Sequence, residues 1–132
     1  MVRTELDAGR ARRAARDLAA GSGLTTPDAE CVALAVSELA MNLVRYAPGG
    51  AVTLTAIEDP RAAPPRRGVR VVCLDAGPGI PDVGAALSNG FTTGGGLGGG
   101  LGAVRRLMDT FDLRSSSAGT AITAVKWERP AA

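Results

Sequence analysis

The 132-residue sequence contains no histidine. Without an imidazole, Ser-His and Cys-His catalysis, phosphorylation on histidine and imidazole metal sites are excluded. Lysine is nearly absent too, because Lys126 is the only one and every other basic residue is an arginine. A phosphate site built on a lysine before the last strand is therefore excluded. No Gly-Lys-Ser/Thr sequence of the Walker A type occurs either.

Aromatic residues make up 3% of the chain, and the formal net charge is +2. Binding of single-stranded nucleic acid needs aromatic side chains interleaved with the arginines, so no nucleic-acid partner is expected. No run approaches membrane-spanning length, and the N-terminus lacks the apolar region of a signal peptide. We therefore expect a cytoplasmic protein without a membrane partner, in which Cys31 and Cys73 are buried thiols rather than a disulfide.

The length fits one domain covering residues 1–132. Hydrophobic periodicity and turn residues predict the order α-α-β-β-loop-α-β-β. That order indicates an α+β fold, a layer of helices on one face of a sheet. The predicted helices cover residues 7–20, 26–47 and 101–109, the strands cover 51–57, 69–74, 111–115 and 120–127, and a proline-rich loop covers 58–68.

The predicted helices have specific ends and faces. In the first helix, Leu6, Ala14 or Ala15, and Leu18 are expected to face inward, with four arginines mostly toward solvent. The second is expected to start at Thr26 as the N-cap, with Pro27 as its first residue. Its apolar positions recur every three or four residues, at Val32, Val36, Leu39, Leu43 and Ala47.

Two predictions concern the strands. The composition of residues 69–74 indicates a strand buried on both faces. The loop over 58–68 carries too many prolines and arginines to join a strand ladder, so an exposed hairpin connection is expected.

Glu38 and Asn42 lie one helical turn apart and therefore share a face of the second helix. They sit at the edge of the apolar stripe through Leu39 and Leu43, where a polar pair can face a cleft. Glu38 could accept a proton from an incoming hydroxyl, and Asn42 offers an oxygen of the kind Mg²⁺ binds. An ordinary polar helix border is the alternative.

Asp75 ends an apolar strand and is followed by Gly77 and Gly79. A partly buried acid needs a hydrogen-bond donor, and the exocyclic amine of adenine is a suitable one. The two glycines let the backbone pass close to a flat ring, because they lack a Cβ. A strand-end turn fixed by prolines is the alternative.

Residues Gly90 to Gly102 contain eight glycines in 13 positions. The run leads into a helix whose first amides, near Leu101, form a potential anion site. A linker is disfavoured because no second domain follows. We expect a flexible phosphate-binding lid over about residues 90–102. A GxGxxA match beginning at Gly98 lacks the preceding strand of a dinucleotide-binding fingerprint.

In sequence order, these segments resemble the Bergerat-type (GHKL) ATP-binding family of DNA gyrase, Hsp90, MutL and bacterial histidine kinases. The stretches SELAMNLVRYA, GFTTGGGLGGGLGAVRRLMDTFD and GTAITAVKW carry the resemblance. Within the family the chain is most similar to anti-sigma-type serine/threonine kinases, and among them to the stressosome switch kinases. The matching positions are Glu38 and Asn42 (N box), Asp75, Gly77 and Gly79 (G1 box), Gly96, Gly98, Gly100, Leu101 and Gly102 (G2 box), and Thr120 after Gly119.

This resemblance implies a two-layer α+β sandwich with a mixed sheet, ATP and Mg²⁺ as cofactors, and phosphorylation of a STAS-domain antagonist protein. Glu38 would be the catalytic base, with an indirect part in the metal site, and Asn42 would hold Mg²⁺. The adenine would contact Asp75 and Thr120. A PP2C-type phosphatase or a sigma factor is a further partner to consider. Two alternatives share the same pocket: an anti-sigma or adaptor protein that acts by sequestration, and a bare ATPase.

Overall fold

The computed structural model describes residues 1–77 and 100–129. Within them the chain order is helix, helix, strand, strand, helix, strand, strand, as the sequence predicts. The helices are α1 (Glu5–Gly21), α2 (Thr26–Tyr46) and α3 (Gly100–Leu107), and the strands are β1 (Ala51–Asp59), β2 (Arg66–Asp75), β3 (Thr110–Ser116) and β4 (Gly119–Trp127).

The sheet has the strand order β1-β2-β4-β3. The helices pack on one face of it, so the predicted α+β layering is confirmed. The expectation of a mixed sheet is wrong for the described strands, since all three pairings are antiparallel. The strands of the β1–β2 and β3–β4 hairpins run antiparallel because each pair is joined by a short turn. Strand β4 also runs in the opposite direction to β2.

Helix α1 begins with a capping box. The Thr4 Oγ1 accepts a hydrogen bond from the Asp7 amide at 3.2 Å, and the Asp7 carboxylate accepts one from the Thr4 amide, also at 3.2 Å. Ala15 is buried as predicted, and Leu18 packs against the core. The prediction for Leu6 is wrong, because its side chain is 60% exposed. Ala8, one position after Asp7, takes the inward place in that first turn.

Helix α2 carries the apolar stripe that the sequence predicts. Val32, Val36, Leu39 and Leu43 are all at most 2% exposed. The N-cap prediction is wrong by one residue: the Thr25 hydroxyl accepts from the Asp28 amide, and Thr26 is already helical.

Strand β2 is buried on one face only, so the prediction of two buried faces is wrong. Val69, Val71 and Cys73 face the helices, whereas Arg70 and Leu74 on the other side are exposed. An antiparallel sheet with helices on a single face leaves its other face in solvent. A continuous apolar sequence does not distinguish the two cases.

The proline-rich connection between β1 and β2 is shorter than predicted. Residues at both ends of the predicted loop do join the ladder, since Glu58 pairs with Arg67 and Asp59 with Arg66. Only positions 60–65, which include all three prolines, remain outside the strands. A proline lacks the amide hydrogen needed for pairing, so the ladder ends where the prolines begin.

The β3–β4 hairpin turns through residues 117–118, in the gap between the two predicted strands, and β4 starts at Gly119, one residue earlier than predicted. The chain start is anchored to the same end of the molecule as the α2–β1 turn, because Val2 donates to the Gly50 carbonyl at 2.7 Å. Among residues 1–77 and 100–129, no helix is long and apolar enough to cross a membrane.

Candidate functional site

Asp75 and Thr120 are brought together by the register of β2 and β4. The two residues are direct partners in the antiparallel ladder, so their side chains share one face of the sheet. It is the face toward the helices, because Cys73 and Ile122, two positions away on each strand, are buried in the core. Pairing thus places the strand-end carboxylate beside a hydroxyl that lies far away in sequence.

Local contacts hold these two side chains. The Asp75 Oδ1 accepts a hydrogen bond from the Gly77 amide at 2.9 Å, which closes a tight turn after β2. Thr120 is buried, and its hydroxyl is 2.9 Å from the Ser115 hydroxyl across the β3–β4 pair. Ser115 had no role in the sequence analysis. It could have been found only from the hairpin register, which pairs it with Thr120.

An open cleft of about 400 Å³ lies against Asp75. Its lining consists of residues 47–51, the turn between α2 and β1, and residues 74–77, the end of β2. Cavities of a few hundred Å³ are the size that small-molecule cofactors occupy. Asp75 is the one charged residue among the described lining positions, which otherwise consist of apolar residues and glycines.

Glycines allow the walls of this cleft to meet. A Cβ at Gly50 would lie 2.5 Å from the Leu43 Cδ2 and 2.9 Å from the Leu74 carbonyl oxygen. A Cβ at Gly77 would lie 3.2 Å from the Ala47 Cβ and 3.2 Å from the Asp75 Oδ1. The α2–β1 turn and the end of β2 therefore approach as closely as they do because both positions lack a side chain.

Glu38 and Asn42 lie where the sequence placed them, at the border of the α2 stripe. Both are partly exposed, whereas Leu39 and Leu43 beside them are fully buried. Burial raises the pKa of the Glu38 carboxyl above its ordinary value, and the positive charge of Arg45 partly offsets this. A carboxylate with a raised pKa is a better proton acceptor near neutral pH than an ordinary one.

The predicted site residues are only partly brought together by the described structure. Asp75 and Gly77 line the cleft, whereas Glu38, Asn42 and Thr120 do not. Helix α2 carries Glu38 and Asn42, and the residues directly after its end form one wall of the cleft.

Helix α3 starts at Gly100, so the predicted helix directly after the glycine run is confirmed. Gly100 has a positive φ of 59°, and Leu101 and Gly102 are buried against the core. The predicted positions Gly79, Gly96 and Gly98 lie outside the described residues, as does the expected lid up to residue 99.

A cluster of charges around the buried Asp28 and Lys126 was missed in the sequence analysis. Asp28 on α2 accepts hydrogen bonds from the Arg129 Nε at 2.8 Å and Nη2 at 3.0 Å. The Lys126 Nζ is 4.0 Å from an Asp28 oxygen and 3.5 Å from an Asp109 oxygen. This hydrogen bonding to Arg129 lowers the pKa of Asp28. The signal was present in the sequence, because Lys126 occupies an inward position of β4, after Ile122 and Ala124.

The cluster fixes the start of α2 to the end of β4. It joins residues about a hundred positions apart in the chain, and Asp109 also accepts from the Trp127 amide at 2.8 Å. The first turn of helix α2 is therefore held by ion pairs to Lys126 and Arg129.

The cysteines are free thiols, as predicted. The prediction of burial is confirmed for Cys73 and is wrong for Cys31, which is partly exposed. Burial, helped by the negative charge of Asp75, raises the pKa of Cys73 to about 12. A thiol with such a pKa stays protonated near neutral pH and is a poor nucleophile.

Comparisons with known proteins agree with this architecture. Residues 3–126 match the family described as "Histidine kinase-like ATPase domain". The mycobacterial sensor histidine kinase MprB has a similar solved structure, with a TM-score of 0.53 and 25% identity, covering 78% of this chain and 74% of that one.

A relative in Bacillus subtilis (strain 168), the serine/threonine-protein kinase RsbT, is 40% identical over 129 residues. That match covers 97% of this chain and 94% of the relative. An identity of this size over nearly the whole length supports serine/threonine-protein kinase activity. The family match and this relative together establish that the chain belongs to the histidine kinase-like ATPase family.

Proposed function

We propose that this protein is an ATP- and Mg²⁺-dependent kinase that phosphorylates a serine or threonine of a STAS-domain antagonist in a partner-switching pathway of the cytoplasm. One observation carries the proposal. The Asp75 carboxylate stands in a cofactor-sized cleft and faces the same side of the sheet as its ladder partner Thr120. The family match and the kinase relative support the choice of reaction.

The residues at the cleft fit an adenine nucleotide. Asp75 offers an acceptor for the exocyclic amine, and the other described residues that line the cleft are apolar residues and glycines. Thr120 adds a hydroxyl beside that carboxylate. When bound, ATP supplies the transferable phosphoryl group, and Mg²⁺ neutralises phosphate charge.

The residues on α2 fit metal binding and the transfer of the phosphoryl group. The Asn42 side chain carries a neutral oxygen of the type that Mg²⁺ takes as a ligand. Glu38, one turn earlier, orients the acceptor hydroxyl of the substrate protein and accepts the proton that this hydroxyl loses as its oxygen takes the phosphoryl group. The raised pKa of Glu38 suits this role.

A transfer assay tests the proposal. Purified STAS-domain proteins are incubated with the kinase and radiolabelled ATP, with Mg²⁺ or with a chelator. We expect label on one of them only with Mg²⁺, and a loss of about 10²-fold or more in Glu38→Gln, since general-base catalysis contributes that much. Glu30→Gln is the matched control: it removes a carboxylate two turns earlier on α2, one that pairs with Arg16.

The outcomes separate the alternatives. Transfer at the wild-type rate by Glu38→Gln would contradict the assignment of the base. Nucleotide binding without transfer to any STAS-domain protein would favour the sequestering adaptor. Phosphate release without a labelled protein would favour a bare ATPase.

A further inference from the structure

One row of α2 side chains runs along the border between the buried stripe of the helix and solvent. Leu34, Glu38, Met41 and Arg45 follow one another at intervals of four, three and four residues, which places them on one face of the helix. Leu34 is 41% exposed, and Arg45 is exposed, while Glu38 and Met41 are partly exposed. We call these four residues the α2 row.

Leu34 is the exception among the large aliphatic side chains in the first two thirds of α2. Val32, Val36 and Leu39 are at most 1% exposed, whereas Leu34 keeps two fifths of its surface in solvent. A single exposed leucine is ordinary on a protein surface. The position of this one is informative, because it lies one helical turn before Glu38.

The other end of the α2 row is cationic. Arg45 lies two turns after Glu38, close enough for its charge to act on that carboxyl. Helix α3 packs against α2 and exposes Arg105, and α3 contains no acidic residue. Along the α2 row, Glu38 is therefore preceded by an exposed apolar side chain and followed by an exposed positive charge.

We propose that Leu34 and Arg45 dock the protein substrate on either side of Glu38. The acceptor hydroxyl reaches Glu38 while an apolar side chain of the substrate covers Leu34 and a carboxylate of the substrate pairs with Arg45. The helix rise of about 1.5 Å per residue sets the spacing: Leu34 lies about 6 Å from Glu38 along the axis, and Arg45 about 10 Å on the other side. The partner is thus a protein surface with a hydroxyl between an apolar and an acidic residue.

This inference rests on the proposed kinase function, because it needs a protein acceptor at Glu38. Beyond that function, the docking contacts at Leu34 and Arg45 define how the acceptor protein is oriented on α2. An exposed apolar side chain and a charge at its rim also suit a docking contact physically, since burial contributes affinity and charge complementarity fixes the register.

The test is a steady-state comparison of phosphate transfer to the STAS-domain protein labelled by the wild type. We expect Leu34→Ala to raise the KM for that protein about tenfold, while kcat at saturation and the affinity for ADP stay unchanged. Leu6→Ala is the matched control, because Leu6 is more exposed than Leu34 but lies on α1. Arg45→Gln should raise the same KM and reduce its dependence on salt.

Each result has a clear meaning. If Leu34→Ala and Leu6→Ala both keep the wild-type KM, the docking assignment is overturned although the kinase reaction stands. If the wild type labels no STAS-domain protein, the proposed function fails, and the docking assignment fails with it. A wild-type dimer that Leu34→Ala dissociates in sedimentation would assign the α2 row to a second copy of the chain and also overturn it.

Discussion

Replacing Gly119 with alanine should damage both the fold and the site. Gly119 begins β4 directly before Thr120 and has a φ of 144°, in a region that residues with a side chain rarely adopt. A Cβ there would overlap the carbonyl oxygen of Asp75 and come within 3.1 Å of the Ala76 Cα. Both obstacles belong to the backbone, so no rotation of a side chain can relieve the contact.

The loss of stability in Gly119→Ala has two causes, the backbone conformation and the steric overlap. A residue other than glycine held in such a backbone conformation costs about 1–3 kcal/mol before any steric overlap is counted. The overlap can be relieved only by moving the start of β4 away from the end of β2, which separates Thr120 from Asp75. We therefore expect Gly119→Ala to lose at least about 1–3 kcal/mol of stability and about tenfold or more in ADP affinity.

Urea unfolding and ADP titration of the same sample measure both losses. Gly9→Ala is the matched control, because a Cβ at this α1 position meets nothing within 4 Å. Removing a glycine from the interior of a helix should stabilise the protein by about 0.5–1 kcal/mol. A Gly119→Ala protein with the wild-type unfolding midpoint and ADP affinity would refute the reasoning.

Three further predictions concern charged groups. Asp28→Asn should lower the free energy of unfolding by about 1–3 kcal/mol, because Lys126 then stays buried beside a neutral amide. Denaturant titration measures this loss, and an unchanged unfolding midpoint would contradict the prediction. Pairing with Arg129 lowers the pKa of Asp28, so its stabilisation is present above the ordinary aspartate pKa of about 4 and is lost as the pH falls through the lowered value. Melting curves in acid should therefore converge for the wild type and Asp28→Asn. The pKa of Glu38 is raised, so the rate of phosphate transfer should begin to fall at a higher pH on acidification than it would with an ordinary glutamate. Because the charge of Arg45 lowers the pKa of Glu38, Arg45→Gln should move this fall in rate to a still higher pH. Identical pH–rate profiles for the wild type and Arg45→Gln would count against Glu38 as the base.

The features predicted best from sequence are those with a local cause. The α2 stripe through Val32, Val36 and Leu39 follows directly from helical periodicity, and the buried residues match it. The gap predicted between the strands 111–115 and 120–127 contains the observed turn, because turn chemistry is short-range.

The errors arise where the cause is distant in sequence. The solvent face of β2 depends on which strands and helices cover it, which composition does not reveal. The pairing of Asp28 with Arg129 spans 101 positions.

In the candidate site too, local features were predicted from the sequence and long-range ones were not. Each of Glu38, Asn42 and Asp75 stands in the local setting that the sequence indicated. Their roles, and those of the glycines at 79, 96 and 98, stay predictions. Asp75 and Thr120 lie side by side because of the register between β2 and β4. The resemblance to a known family pointed to this pair, whereas the local sequence pattern did not.

Calorimetric titration with Mg-ADP tests the central claim, that the Asp75 cleft binds an adenine nucleotide. We expect saturable binding by the wild type and about ten- to a hundredfold weaker binding by Asp75→Asn, because a charged hydrogen bond in a partly buried site contributes roughly 1.5–3 kcal/mol. Asp112→Asn, a change at an exposed carboxylate on β3, should bind like the wild type. No heat from folded wild-type protein at millimolar ADP, or equal affinity in Asp75→Asn, would contradict the account.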